Sequence, residues 1–210
     1  MKTSKKSTQV IEPKARSIIY GHGRGWVFTP KTFSALGDPR SIAMALTRLS
    51  RKGVIRKLAH GLYDYPRTDA RLGVLSAPTE EIAEALRARD RTRLQPSGAH
   101  AANLLGLSEQ VPVRVVYLTD GPARQVQLGK RKIVLKRTTP RNMTTAGKVS
   151  GLVIQALRWI GQRNVDEKRV VSILKRRLSP ADKRQLLKDQ RYAPAWIAEI
   201  MRKVAEPADR

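Results

Sequence analysis

The chain has 210 residues, of which 42 are Lys or Arg and 17 are Asp or Glu, for a formal charge of +25; a field of that size gathers polyanions, nucleic acid first among them. Apolar residues make up 40% of it, spread in periodic runs, which argues against disorder and fits a small globular module followed by a larger one. The absence of cysteine excludes disulfides, thiolate metal sites and a thiol nucleophile, and with no signal-peptide core over residues 1–9 and no apolar run of the ~18 residues a membrane helix needs, a cytoplasmic protein is expected.

Residues 1–12 read as a flexible basic arm, with Lys2, Lys5 and Lys6 among small polar residues and nothing to bury. A first helix is expected from Pro13 to Tyr20, ended by Gly21, Gly23 and Gly25, since glycine takes turn conformations cheaply. The glycines make a turn and not a phosphate loop, because no Gly-Lys-Ser/Thr follows and the chain enters the β-prone run Trp26-Val27-Phe28. Thr29-Pro30 then supplies a cap and an N1 proline for a brief helix to Leu36, and Asp38-Pro39 does the same for a helix running to Lys52. In that helix Ile42, Leu46 and Leu49 recur on one face, while Arg40, Met44, Thr47, Arg48 and Arg51 fall on the other. After Gly53 the runs Val54–Leu58 and Leu62–Tyr65 flank the turn Ala59-His60-Gly61 and end at Pro66, which reads as a hairpin.

Three helices and a hairpin in this order are a winged helix-turn-helix, expected over residues 13–66 as a DNA-binding domain with its third helix in the major groove and its hairpin on the backbone. The candidate DNA contacts are Arg40, Ser41, Met44, Thr47, Arg48 and Arg51 from the recognition helix, Lys31 and Thr32 from the helix start before it, and Arg56, Lys57 and His60 from the wing. One or two of the arginines would reach guanine O6 and N7 and the others hold phosphate, with the division between them open. The bland alternative for the same residues is a solvated charged face and an ordinary capped helix start.

Residues 67–77 carry no strong period and read as a linker to a C-terminal domain over 78–210. Thr79 begins a helix with Glu80 and Glu81 in its first turn, where the macrodipole favours them, and Ser97 begins a short one ending near Gly106. Val113–Leu118 is a strand, and Arg124–Leu128 and Lys132–Arg137 form a hairpin about Gly129-Lys130. This hairpin carries a secondary basic patch of Lys130, Arg131, Lys132, Lys136 and Arg137. Helices follow from Ala146, with starts at Asn164 and Ser179-Pro180 and a last one anchored by Trp196 and Ile200. The expected fold class is therefore α+β, an N-terminal winged helix-turn-helix plus a C-terminal α+β domain with a small antiparallel sheet and a helical tail.

No catalytic residue is expected. Ser97 and His100 are three apart without an acid to orient the imidazole, and Glu80, Glu81 and Glu84 suit a helix dipole better than acid–base work. His22, His60 and His100 lie in different elements without metal-ligand spacing, so neither a metal nor a cofactor is expected. Trp159 and Trp196 are expected in the helical core, with an exposed stacking platform for single-stranded nucleic acid as the alternative.

The segments Gly-Arg-Gly-Trp-Val-Phe-Thr-Pro (23–30), Ala-Leu-Thr-Arg-Leu-Ser-Arg-Lys-Gly-Val-Ile-Arg (45–56) and Gly-Leu-Tyr-Asp-Tyr-Pro (61–66) resemble the AbiEi group. These are abortive-infection antitoxins of the type IV toxin–antitoxin class, and the chain is most similar to their short branch with a predicted transcriptional regulator label. The likeness is good over the first module and loose over the second. It implies a winged-helix domain that represses its own promoter by binding inverted repeats in double-stranded DNA, and a C-terminal domain that counteracts a nucleotidyltransferase-like toxin. The residues of the second module do not by themselves indicate a toxin, so a stand-alone regulator stays open, as does a basic RNA-binding or interaction protein.

Overall fold

Ile11, Ala15 and Ile19 recur one helical turn apart, and all three are buried on a helix α1 that runs over Thr3–His22. The computed structural model describes residues 3–206, with side chains from Val10 onward. The stretch expected as a flexible arm over 1–12 is thus, from Thr3 on, the first half of α1, while Met1 and Lys2 lie outside the described residues. Pro13 sits inside α1 and not at its start. Proline forfeits a helical hydrogen bond, but Ile11, just before it, is buried with its Cδ1 packed into the space where a side chain at Gly37 would begin. Burial of an isoleucine is worth roughly 1.5–3 kcal/mol, enough to offset much of that loss.

The chain divides into two compact units, Met1–Arg91 and Thr92–Arg210. In the first, α1 is followed by β1 (Val27–Phe28), a 3-10 helix (Pro30–Leu36), α2 (Pro39–Arg51), β2 (Arg56–Ala59) and β3 (Leu62–Asp64). The strands form an antiparallel sheet in the order β1-β3-β2, with Val27 opposite Asp64 and Lys57 opposite Tyr63. Phe28, Phe33, Ile42, Ala45, Leu46, Leu49, Ile55 and Tyr63 join the buried side of α1 in one core. There the rings of Phe28 and Phe33 meet edge to face with centroids 5.4 Å apart.

The expected linker holds a second hairpin, β4 (Thr68–Asp69) paired with β5 (Gly73–Val74). Its turn is set by the Asp69 carboxylate, which accepts from the amides of Arg71 and Leu72 at 2.8 and 2.9 Å. Those two bonds hold the Asp69 carboxyl below the usual carboxylate range. The next helix, α3 (Thr79–Asp90), packs on β1 and belongs to the first unit rather than opening the second. Ile82, Ala83 and Leu86 are its buried side. The absent period over 67–77 marks an exposed hairpin, not a domain boundary.

The second unit contains β6 (Leu94–Ser97), α4 (Gly98–Leu104), β7 (Arg114–Thr119), β8 (Arg124–Leu128) and β9 (Arg131–Arg137), then α5 (Pro140–Met143), α6 (Val149–Ile160), α7 (Glu167–Arg177), α8 (Pro180–Asp189) and α9 (Ala195–Ala205). The sheet order is β6-β7-β9-β8; the β8–β9 hairpin is antiparallel as expected, β6 is a further antiparallel strand the sequence did not announce, and the central pair, β7 with β9, is parallel where an antiparallel sheet was expected. Pro96 lies within β6, where it is tolerated because β6 is an edge strand. Val153, Leu157, Leu174, Leu186, Ile197, Ile200 and Met201 form the helical core. Trp196 packs against that core, but Trp159 is 48% exposed at the end of α6. The described fold is thus α+β, with nine α-helices and small sheets. No helix among the described residues is long and apolar enough to cross a membrane.

Two features brace the start of α6. The buried Asp189 carboxylate accepts from Ser150 Oγ at 2.5 Å and Gln185 Nε2 at 2.7 Å, with the Lys148 ammonium 3.4 Å away. Burial raises its pKa, but these partners outweigh burial and leave it below the ordinary value. Gly151 is the second. A Cβ there would lie 2.3 Å from the Thr145 carbonyl oxygen and 2.4 Å from Gln95 Oε1. Gly→Ala inside a helix ordinarily stabilises by about 1 kcal/mol, so here the sign reverses. Gly151→Ala is expected to destabilise by about 1–3 kcal/mol, read as a lowered urea midpoint; an unchanged or raised midpoint would contradict the close approach.

Candidate nucleic-acid interface

Helix α2 is built to hold one face still. Asp38 caps it, accepting from the Arg40 and Ser41 amides at 3.0 Å each, and Pro39 occupies N1. The Asp38 carboxyl is held below its usual range by the Ser41 hydroxyl first and by the amides with it. Ile42, Ala45, Leu46 and Leu49 are buried, and Gly53, in the left-handed region at φ 71°, turns the chain out of the helix. The opposite face exposes Arg40, Met44, Thr47 and Arg51, with Arg48 half-buried between them. Among the described residues no carboxylate pairs with any of these three arginines. Arg48 and Arg51 lie in the last turn, where cations also complement the helix dipole. Thr47 Oγ1 donates to the Ala43 carbonyl at 2.8 Å, which leaves its lone pairs and methyl outward.

Other members of the candidate set have internal partners. Ser41 is only 4% exposed, because it shares the stripe of Ala45 and Leu49 at four-residue spacing and turns its hydroxyl to Asp38. Arg56 grips the buried Asp64 carboxylate through two bonds, Nε to Oδ1 at 3.1 Å and Nη2 to Oδ2 at 2.6 Å, and also donates to the Leu75 carbonyl at 2.9 Å. It closes the base of the hairpin. Lys31 Nζ donates to the Arg89 carbonyl at 2.7 Å, capping the C-terminal turn of α3, and Thr32 Oγ1 accepts from the Thr29 amide at 3.4 Å. Lys57 and His60 are exposed, His60 at the β2–β3 turn beside Gly61, whose φ is 64°.

The first unit also exposes arginines that the sequence pattern did not single out. Arg24 donates to the Pro66 carbonyl at 3.0 Å and lies 4.9 Å from the Tyr65 ring centre, while Arg67 donates to the Arg24 carbonyl at 2.9 Å. Arg71 and Leu72 occupy the exposed β4–β5 turn. The Asp69…Gly73 spacing was the available signal, a turn residue four places before a glycine.

In the second unit the expected basic patch splits. Lys130 is exposed in the β8–β9 turn, and strand alternation sends Lys132 and Lys136 to one face of the sheet and Arg131 and Arg137 to the other. Ser97 and His100 do not meet: Ser97 Oγ donates to Gln155 Oε1 at 3.3 Å, while His100 Nε2 lies 3.1 Å from the Tyr117 hydroxyl. Glu84 pairs with Arg87, which lowers its pKa, and no cluster of metal-ligating side chains occurs among the described residues.

The model of a family of unknown function, DUF6088, matches residues 14–185. Among solved structures, the crystal structure of the RV2827C protein from Mycobacterium tuberculosis is similar at a TM-score of 0.41 and 15% identity, over 85% of this chain and 76% of that one; so slight a likeness carries no argument. No curated protein matches the chain.

Proposed function

The chain belongs to the DUF6088 family, whose function is unknown, and we propose that it is a sequence-specific duplex-DNA-binding repressor whose first unit acts as a winged helix-turn-helix. Helix α2 enters the major groove, and the β2–β3 hairpin lies on the backbone as the wing. The observation that carries the reading is the face of α2 with Arg40, Thr47, Arg48 and Arg51, whose arginines have no carboxylate partner among the described residues and which is backed by a fully buried Ile42-Leu46-Leu49 stripe. Lys57 and His60 supply the wing; Ser41, Arg56, Lys31 and Thr32 serve the fold instead.

On the reading of its residues the repressor is non-catalytic and cytoplasmic; by its resemblance to the AbiEi antitoxins it acts on its own promoter and is the antitoxin to a nucleotidyltransferase-like toxin encoded beside it. The test uses labelled duplex from upstream of the gene and a random duplex of equal length. Arg48→Ala is expected to cost about 1–3 kcal/mol on promoter DNA and less on random DNA, because it removes base contacts, whereas Lys57→Ala weakens both alike. Equal losses in the two variants would remove α2 as the reading helix.

A further inference from the structure

The β4–β5 hairpin is tied down at its base and bare at its tip. At the base the Leu75 amide donates to the Arg67 carbonyl, Arg67 Nε to the Arg24 carbonyl and Arg56 Nη2 to the Leu75 carbonyl, each at 2.9 Å. Arg56 is also the residue that grips Asp64 on β3, so the hairpin is fastened to the β1-β3-β2 sheet. A two-stranded hairpin is marginal without such ties. At the tip Asp69 fixes the turn through the Arg71 and Leu72 amides, and every residue over 67–74 is exposed. Leu72 is 77% exposed, the most exposed leucine among the described residues, and Val74 is 57% exposed. The Arg71 guanidinium has no carboxylate partner among the described residues.

Given the first unit's role as a duplex-DNA binder, on which this rests, we propose that β4–β5 is a second wing whose tip enters the minor groove of the duplex that α2 reads, with the Arg71 guanidinium in the groove and the Leu72 side chain against its sugars and base edges. A lone exposed leucine is ordinary on a protein surface. Here two apolar side chains share a braced tip with a cation, and the one acid of the hairpin, Asp69, spends its carboxylate on the turn amides. A phosphate would satisfy Arg71 but offers nothing to leucine. The minor groove takes both: its negative potential draws a guanidinium in, most strongly where A·T-rich sequence narrows it, and its sugar walls and base steps accept an apolar wedge. At about 6 Å across, it admits side chains from a tip and not a ribbon of two strands. The first wing, with Lys57 and His60 exposed, has no such apolar residue at its turn, so the two hairpins divide the work between backbone and groove.

The full-length chain carrying Arg71→Ala and Leu72→Ser is compared with wild type and with a control that loses the same kinds of side chain from the second unit, Arg163→Ala and Val111→Ser. All four positions are exposed, so the fold should be spared, which thermal melting checks. The probe is end-labelled promoter duplex, footprinted with hydroxyl radical, which reports sugars from the minor groove, and with dimethyl sulfate, which reports guanine N7 in the major groove. The hairpin variant is expected to bind about 10-fold more weakly, to lose one tract of sugar protection flanking the protected guanines, and to keep the N7 protection, while the control behaves as wild type. An unchanged sugar footprint in the hairpin variant overturns the proposal, as does a weakening shared equally by the control. So does a loss that accompanies a change of oligomeric state in light scattering, which would make the tip a contact between copies of the chain. A wild-type footprint with the flanking sugar tract but no N7 protection removes the α2 reading and leaves the second wing standing. The reverse pattern removes the second wing alone, and protection of neither removes both.

Discussion

Between 50 and 200 mM salt, affinity for promoter duplex should fall by on the order of 10³-fold, if about six phosphates are neutralised at ~0.9 counterions each. Arg40, Arg48, Arg51 and Lys57 are the first contributors, since they reach solvent without a carboxylate partner among the described residues. Lys31 and Arg56 are left out of that sum because each is spent on an internal acceptor. Fluorescence anisotropy across a potassium acetate series measures the slope directly. A slope near zero would mean that the +25 charge of the chain is not used on phosphate, and the repressor reading would fall with it.

The second large effect concerns stability. Asp64 is 1% exposed, whereas the Arg56 side chain that pairs with it keeps 34% of its surface. Removing either partner strands the other, but the two residues left behind differ. Arg56→Met leaves a carboxylate sealed between β2 and β1 with its charge uncompensated, which is expected to cost about 3–5 kcal/mol. Asp64→Ala leaves a guanidinium that water already reaches, so the loss should be about half as large. Urea unfolding of the two variants and of the double variant Arg56→Met/Asp64→Leu separates these contributions, with the double variant expected to recover most of the loss. If Arg56→Met proved no more damaging than Asp64→Ala, the asymmetry of burial would not be governing the pair.

The elements with strong local chemistry were legible from residues alone. Asp38-Pro39 announced the start of α2, the Ile42-Leu46-Leu49 period its buried side, and Gly61 the turn of the first hairpin. The β8–β9 hairpin was read for the same reason, from a glycine between two strand-like runs. Elements held by partners remote in sequence were not. The first half of α1 has weak apolar content before Ile11 and a proline inside it. The parallel pairing of β7 with β9 depends on where β8 is placed, and local propensity is silent on that. Strand β6 contains a proline, which reads as a break until its position at the sheet edge is known.

Composition and periodicity alone determined that the chain is strongly basic, that it lacks thiol chemistry, and that α2 has an oily side and a guanidinium side. Only the tertiary structure decided which cations are at liberty. Lys31 is satisfied by a carbonyl 58 residues away, Arg56 by a carboxylate across a strand pair, and the patch on β9 is divided by the pleat and joined on one face by Arg114 from β7. A cation's charge is a property of its own side chain, but its availability depends on which acceptors the fold brings within about 3 Å, and those come from segments that local sequence does not connect.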